Sequence, residues 1–486
     1  MKKYLKIQFA IALLVVYSLQ SCTKGFEELN RDPTKPTAVT PALLITGIEK
    51  TASDIMYHQF VNINIGNLYA QYYSQTQNES QSQYQLDEGG NNLLWTLYST
   101  SLSNVQELKR INQLNAEPGA KNQNAIASVL SAWIYQVLTD TYGNVPFSEA
   151  LKGDELILTS KYDDSKSIYD GLITMLDEQI AALNAGEPTF SNGELIYNGA
   201  PDKWKKLANS LKLRIGCRML NADPAKAQTI IEQAAGAGVF TSVDDEAKFT
   251  YLKDVPDQFP YNDQSGGGVS NQYFVSATLV DFLKETNDPR LTKYARVAPT
   301  PNDIVGKPYG LGDFTGGIDR FSLPSSQVYS PVFPGYIMSY VEVQFALAEA
   351  AARGFSVGGD AATFYENGVR ASMKFWGVSD ADADAFLLAN PYDQANWKNI
   401  IGSQKWVALY NQGLQGWFER TRLDFKKPNG EDLFVIPATI LDNSVTTVPF
   451  RVTYPLAEIS NNRDNYNEAK QAIGGDTKGT KLWWQP

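Results

Sequence analysis

The sequence predicts a mostly α-helical fold, with tetratricopeptide-like helix pairs under a loop-rich face, on three observations. Apolar residues recur at three- and four-residue spacing in segment after segment. Helix starts carry their own signals, as where Asp202 follows Pro201 and where Asp223 stands before Pro224 as an N-cap before a first-turn proline. Gly and Pro crowd into one long middle stretch instead of punctuating short strands.

The first element lies outside the fold. Lys2 and Lys3 precede an apolar run from Leu5 to Leu19, the pattern of an export signal, too short and wrongly flanked for a lasting membrane span. Ser21 before Cys22 fits a bacterial lipobox, in which the cysteine thiol takes a diacylglyceryl group and becomes the new N-terminus. Buried acyl methylenes at about 0.8 kcal/mol each then hold the chain to a bilayer. Residues 1–21 are thus expected to be a lipoprotein signal peptide. Residues 22–40, with Pro33 and Pro36 among Asn30, Arg31, Asp32 and several threonines, are expected to be an extended tether. The body, 41–486, is expected to be one domain.

Within it, helical spacing covers Thr40 to Tyr73, Asn91 to Leu114, Gln123 to Thr141, Ser165 to Ala185, Pro201 to Asn221 and Pro224 to Ala237. From Tyr251 to Pro334 the density of Gly and Pro predicts long loops with one helix inset around Ser276 to Glu285. Helices resume at Ser339 to Arg353, Asp360 to Phe375, Ala381 to Leu388 and Trp397 to Arg420. Between Ala346 and Ser372 the run of small residues around the Gly354 to Gly359 turn resembles a tetratricopeptide hairpin, although no strict period runs through the chain. Alternation from Val445 to Thr453 predicts a short strand.

Composition narrows the function. A net charge of −11 and a pI near 4.9 argue against nucleic acid and anionic lipid headgroups, both of which reward dense Lys and Arg. With Cys22 spent on lipid, Cys217 has no disulfide partner, and its helical apolar surroundings predict a buried structural thiol. Aromatic residues make up 12% of the chain, 26 Tyr, 22 Phe and 9 Trp, enough for some to reach the surface, where flat rings stack on the C–H faces of sugars or on peptides.

Catalytic signals are thin. The single histidine, His58, falls in an apolar and aromatic helix and is expected to be packed there. No Gly-x-Ser-x-Gly elbow, phosphate loop or His-Glu-x-x-His occurs. Asp380, Asp382 and Asp384 mimic half a calcium loop, but Ala385 replaces its glycine and Pro391 its glutamate, so they are expected at a helix N-terminus. No metal or cofactor is predicted. A glycoside hydrolase would need two carboxylates about 5–9 Å apart. Asp257, Asp263, Asp313 and Asp319 are available in the loop-rich segment, and none stands out.

Several motifs carry a family resemblance: Phe26-Glu27-Glu28-Leu29-Asn30 with Asp32-Pro33 behind the lipid cysteine, Thr139 to Ala150 with its Tyr142-Gly143-Asn144-Val145-Pro146 core, and Asn287-Asp288-Pro289-Arg290-Leu291. Ala348-Glu349-Ala350 with Arg353-Gly354 follows, then Gln404-Lys405-Trp406 with Trp417 and Arg420. Pro449, Arg451, Tyr454-Pro455, Glu458, Asn462, Asn465-Tyr466 and Ala469 close the set. In this order they make the chain similar to the SusD and RagB family of outer-membrane nutrient-binding lipoproteins of the Bacteroidetes lineage.

The resemblance implies a non-catalytic lid on a SusC-like TonB-dependent transporter, capturing oligosaccharide at the cell surface. Peptide is the alternative ligand, as for RagB. A purely adhesive surface lipoprotein and a helical glycoside hydrolase are the rivals from other classes. Physical chemistry gives most of the motif residues structural work. Gly143 and Pro146 end a helix, Tyr142 and Asn144 fix a turn, Asp288 caps with Arg290 beside it, and Trp406, Trp417 and Arg420 pack against aromatic or charged partners. The ligand site is expected where the loops of Tyr251 to Phe333 meet the body. Tyr261, Tyr273, Phe314, Phe321 and Tyr329 would be stacking platforms, and Asn262, Asp263, Asn271 and Arg320 would hydrogen-bond hydroxyls.

Overall fold

The computed structural model describes residues 39–77, 79–115, 118–157, 159–262, 271–312, 317 and 319–486. The expected signal peptide, Cys22 and nearly all of the tether lie outside them, as do Asp263 and Phe314. Pro41–Pro486 forms one compact unit. No helix among the described residues is long and apolar enough to cross a membrane.

The unit is built from helices, in chain order α1 (Pro41–Tyr57), α2 (Glu88–Thr96), α3 (Ser103–Asn115), α4 (Ala120–Tyr142), α5 (Ser165–Ala182), α6 (Pro201–Met219), α7 (Pro224–Ala237), α8 (Ala277–Glu285) and α9 (Leu291–Tyr294). They continue as α10 (Tyr340–Ala352), α11 (Ala361–Phe375), α12 (Asp380–Ala389), α13 (Trp397–Ala408), α14 (Gly413–Leu423), α15 (Leu456–Asn461) and α16 (Arg463–Ala472). Short strands add β1 (Tyr73–Gln75), β2 (Val145–Pro146), β3 (Tyr162–Asp163), β4 (Ala247–Phe249), β5 (Tyr273–Val275) and β6 (Gly335–Met338). They pair antiparallel as β1 with β5, β2 with β3 and β4 with β6.

Successive helices pack as hairpins, α4 on α5, α6 on α7 and α10 on α11, and the last of these pairs also meets α13. Caps set several boundaries as the sequence predicts. Asp223 accepts a hydrogen bond from the Lys226 N–H at the start of α7, with Pro224 in its first turn. Ser379 caps α12 on the Asp382 N–H, which leaves Asp380 and Asp382 in the first turn where the helix dipole favours them. Gly143 ends α4 at φ +87°, a conformation costly for a side chain, and its N–H reaches the Thr139 carbonyl.

The sequence motifs resolve into a buried ionic lattice that ties these helices together. Arg218 of α6 pairs with Asp140 of α4 at 3.1 Å and with Glu419 of α14 at 2.9 Å. Arg422 bridges Glu419 at 2.6 Å and Glu349 of α10 at 2.5 Å, and Lys405 of α13 reaches Glu419 at 3.1 Å. Arg290 pairs with Asp288 at 2.5 Å and donates to Ser372 at 3.0 Å, so the Asp-Pro-Arg motif ties the loop-rich segment to α11. Cys217 is buried, and burial, with the Glu349 carboxylate adding to it, pushes its thiol up to about 12, which keeps it neutral.

Four expectations are corrected. The helix expected from Thr40 to Tyr73 stops at Tyr57, because His58 turns extended and a π-helical segment, Gln59–Asn67, leads to β1. His58 is therefore a half-buried cap, its Nδ1 accepting from the Phe60 N–H at 3.2 Å, and not a packed helix residue. The helix expected from Trp397 to Arg420 is two, broken where Asn411 takes φ +70°. Val445 to Thr453 forms no strand; the Val452 N–H pairs instead with the Thr141 carbonyl at the end of α4.

One buried pair has a consequence for stability. Glu49 of α1 accepts from the Leu195 N–H at 2.8 Å and lies beside Glu194, whose carboxylate accepts from the Ile196, Tyr197 and Gly199 N–H groups and the Trp204 indole. Burial first, and the Glu194 charge second, hold the Glu49 carboxyl well above its usual range. The folded protein thus keeps a proton that the unfolded chain releases, and stability falls as pH rises from the ordinary carboxyl range through the folded value. Glu49→Gln is expected to be more stable than the parent by about 1–3 kcal/mol at alkaline pH, with the gap closing below about pH 4. Urea unfolding across that range checks it; a parallel pH dependence in the two proteins would reject it.

Candidate functional site

Three of the larger hollows on the described surface differ in their linings. A cavity of about 280 Å³ is walled by Phe333, Tyr336, Phe375, Trp376 and Tyr410, but its buried carboxylate, Glu246, is already paired with Lys248 at 3.2 Å. Another of about 490 Å³ lies between Arg420 and Lys481 near the C-terminus, with Lys426 paired to Asp432 at 2.9 Å. The third, a cleft of about 450 Å³, is lined by Gln59, Phe60, Asn64, Gln75, Thr76, Gln77, Gln81, Asp87, Gln272 and Tyr273. Its chemistry differs from that of the other two: six of these ten side chains are amides.

The break at His58 makes this cleft. The π-helical segment that follows places Gln59, Phe60 and Asn64 along one wall. Gly66 lets that segment dock, since a Cβ there would stand 2.5 Å from the Gly413 carbonyl carbon at the start of α14. Gly90 does the same at the rim, where a Cβ would fall 2.3 Å from the Phe60 carbonyl oxygen. Phe60 stays 37% exposed, with the edge of His58 against it at 5.0 Å between ring centres. A partly open ring of this kind can cover the apolar face of a sugar or a planar group.

Hydrogen bonds fix the polar wall. The Tyr273 hydroxyl donates to Asn64 Oδ1 at 2.5 Å, and Asn64 Nδ2 donates to Asp87 Oδ2 at 2.5 Å. Asp87 Oδ1 caps α2 by accepting from the Gly90 N–H at 3.1 Å. Burial raises the Tyr273 phenol, and the Asp87 carboxylate raises it further, so the hydroxyl keeps its proton and Asn64 is held in one orientation. Pairing of β1 with β5 sets Gln75 opposite Tyr273. Gln75 Nε2 donates to Gln81 Oε1 at 2.6 Å, and Gln75 Oε1 accepts from the Ser82 N–H at 3.0 Å. Among the described residues nothing hydrogen-bonds the side chains of Gln59 or Gln77. The cleft therefore presents preset amide donors and acceptors beside an aromatic face, the equipment for hydroxyl-rich or amide-bearing ligands.

The residues expected from sequence are only partly gathered here. Tyr273 lines the cleft by its edge, 4% exposed, its ring stacked on Tyr73 at 6.2 Å. Asn271 is exposed in the turn just before it. Tyr261 is 2% exposed, accepts from Asn62 Nδ2 at 2.7 Å and has its ring against Phe259 at 4.8 Å, which leaves no face open for stacking. Tyr329 is partly buried against Tyr261, and Asn262 donates to the Tyr329 carbonyl. Phe321 packs on Phe274 at 5.5 Å, and Arg320 is exposed outside the cleft lining. The aromatic excess of the chain is largely used in its core, where Tyr72, Tyr73, Tyr294, Trp376 and Tyr410 form one continuous cluster.

Gln59 and Phe60 escape the sequence analysis because their segment has the apolar spacing of a helix, and Gln75, Gln77, Gln81 and Asp87 because they fall between the predicted helices, outside the loop-rich segment where the site is expected. A signal was present: an Asn- and Gln-rich run from Gln59 to Asn92 without a single Lys or Arg.

Residues 33–455 match a family model described as SusD-like, starch-binding and associating with the outer membrane. A solved chitin-binding protein is 30% identical, with a TM-score of 0.78 over 92% of this chain and 100% of that one. A SusD homologue from Bacteroides uniformis superposes with a TM-score of 0.79 at 24% identity, over 91% of this chain and 99% of its own. A chitin-binding SusD homologue from Flavobacterium johnsoniae does so with 0.76 at 24% identity, over 91% and 97%. No curated protein matches the chain.

Proposed function

The chain belongs to the SusD-like family, and from that premise we propose that it is a cell-surface lipoprotein that captures oligosaccharide in the cleft of Phe60 and the six amides. It hands that glycan to a SusC-like TonB-dependent transporter, with Cys22 as the lipid anchor and the following residues as the tether. The observation that carries the binding site is the union of a partly exposed ring with amides whose orientation is fixed by Tyr273, Asn64, Asp87 and Gln75. Preset groups of this kind bind without first losing side-chain freedom. Asn271, beside the lining residue Gln272, is retained as a peripheral contact.

Binding without cleavage is the favoured reading. Asp87 is the one carboxylate among the described lining residues, and both its oxygens already accept hydrogen bonds, which leaves no second acid for glycoside hydrolysis. Chitin-type oligosaccharides are the first ligands to try, since the relative that is 30% identical is described as chitin-binding. N-acetyl groups suit the site, because an amide wall pairs with amide substituents as well as with hydroxyls.

Calorimetric titration with chitohexaose tests the reading. We expect saturable binding with no release of shorter sugars, and Phe60→Ala weakening it by about tenfold or more, as for an aromatic anchor at the centre of a site. Equal affinity in parent and Phe60→Ala would reject the cleft, and turnover of the sugar would reject the non-catalytic role. Co-purification of a large β-barrel protein from native membranes is the expected result for the transporter partnership.

A further inference from the structure

We infer that the cleft selects its glycans by charge, accepting uncharged sugar chains and turning away those that carry carboxylate or sulfate groups. The inference rests on the cleft being a glycan site and goes beyond it to the class of ligand.

None of the ten described lining residues is basic. The chain that builds the cleft explains why. Between Lys50 and Lys109 there is no Lys or Arg, while Asp54, Glu79, Asp87, Glu88 and Glu107 fall in that interval. Between Lys253 and Lys284 there is again none, while Asp254, Asp257, Asp263 and Asp281 do.

Among the described residues Lys307 stands behind the cleft, bonded to the backbone of the lining residue Gln75, and it is already committed. Its fully buried ammonium donates to the Gln75 carbonyl at 2.6 Å and to Glu79 Oε1 at 3.1 Å, on the backbone and acidic neighbour of a lining residue. Arg320 is exposed and does not line the cleft. An anionic substituent entering the site would leave water to face Asp87 and a wall of amides, with no guanidinium or ammonium to replace its hydration. The whole chain, at a net charge of −11, repels such a ligand at longer range as well. Hydroxyl and acetamido groups meet no such penalty, since the amides and Phe60 serve them equally.

The experiment compares chitohexaose with its 6-O-sulfated form, identical in backbone and length, on the purified protein at about 20 mM and about 500 mM salt. We expect the sulfated chain to bind at least tenfold more weakly at low salt, with the gap narrowing at high salt as repulsion is screened. Gln77→Lys is expected to raise the affinity for the sulfated chain relative to the neutral one at least fivefold. Equal affinity of the two chains at low salt would overturn the charge selection and leave the glycan site standing. Binding of neither chain would remove the glycan site and the selection together.

Discussion

Replacing Arg422 with Met is expected to cost about 3–5 kcal/mol of stability at neutral pH, the loss typical when one partner of a buried ionic cluster is removed. Arg422 is fully buried and bridges Glu349 on α10 to Glu419 on α14, and its Nη1 also donates to the Cys217 carbonyl at 3.1 Å. Methionine fills the space but leaves Glu349 with the partly exposed Arg353 at 3.0 Å and the more distant charge of Lys405. Burial alone would raise the Glu419 carboxyl, yet Arg422, Lys405 and Arg218 hold it far below the usual range; burial is likewise outweighed by Arg422 at Glu349.

The pH dependence follows from that direction. Carboxyl groups depressed in the folded state contribute stability that is present above the unfolded range of about 4.3 and is lost as pH falls through the folded values. The variant has less of this contribution to lose. Urea midpoints of parent and Arg422→Met should therefore lie furthest apart near pH 7 and converge in acid. A difference under about 1 kcal/mol at pH 7 would mean that the cluster is as weak as a surface pair and that packing alone joins these helices.

The second large effect couples fold to site. Gly66→Val is expected to destabilise the protein by about 3 kcal/mol or more, at the upper end of overpacking penalties, and to abolish measurable glycan binding in whatever fraction stays folded. The reason is the 2.5 Å that a Cβ at Gly66 would leave to the Gly413 carbonyl carbon and the Leu414 nitrogen, backbone atoms with no freedom to retreat. Relief would come from shifting the π-helical segment, which carries Gln59, Phe60 and Asn64. Gly47 of α1, where a Cβ meets nothing within 4 Å, provides the control: Gly47→Ala should leave binding unchanged and helix stability equal or slightly higher. Thermal unfolding and chitohexaose titration of both variants check this, and wild-type affinity in Gly66→Val would disconnect the segment from the site.

Much of the scaffold was legible before any coordinates. α7 runs from Pro224 to Ala237 as its N-cap, first-turn proline and apolar spacing predict, and α4, α5, α6 and α10 to α12 fall within a few residues of expectation. These elements owe their form to local causes, caps and periodic burial, that a sequence states outright. The site was legible only in outline. Tyr273 and Asn271 sit at the cleft or beside it, whereas Tyr261 is enclosed by Phe259 and Asn62, and nothing in its local sequence distinguishes an enclosed tyrosine from an open one. The break at His58 was hidden for a related reason: helical spacing continues beyond it through Val61, Ile65 and Leu68, all of them buried, and only the wider π-helical turn reveals the change.

The sequence by itself determined the helical class, the family, the acidic and lysine-poor character of the segments that meet at the cleft, and the ends of the capped helices. Each of those is a property of composition or of residues within a turn or two of one another. Tertiary structure alone decided which aromatics are spent in the core and that Phe60 stays partly exposed in the cleft. Exposure depends on what arrives from far along the chain: β5 brings Tyr273 against β1, and Gly413 admits Gly66 across more than three hundred residues. Contacts over such separations are set by global packing, to which no local pattern of residues has access.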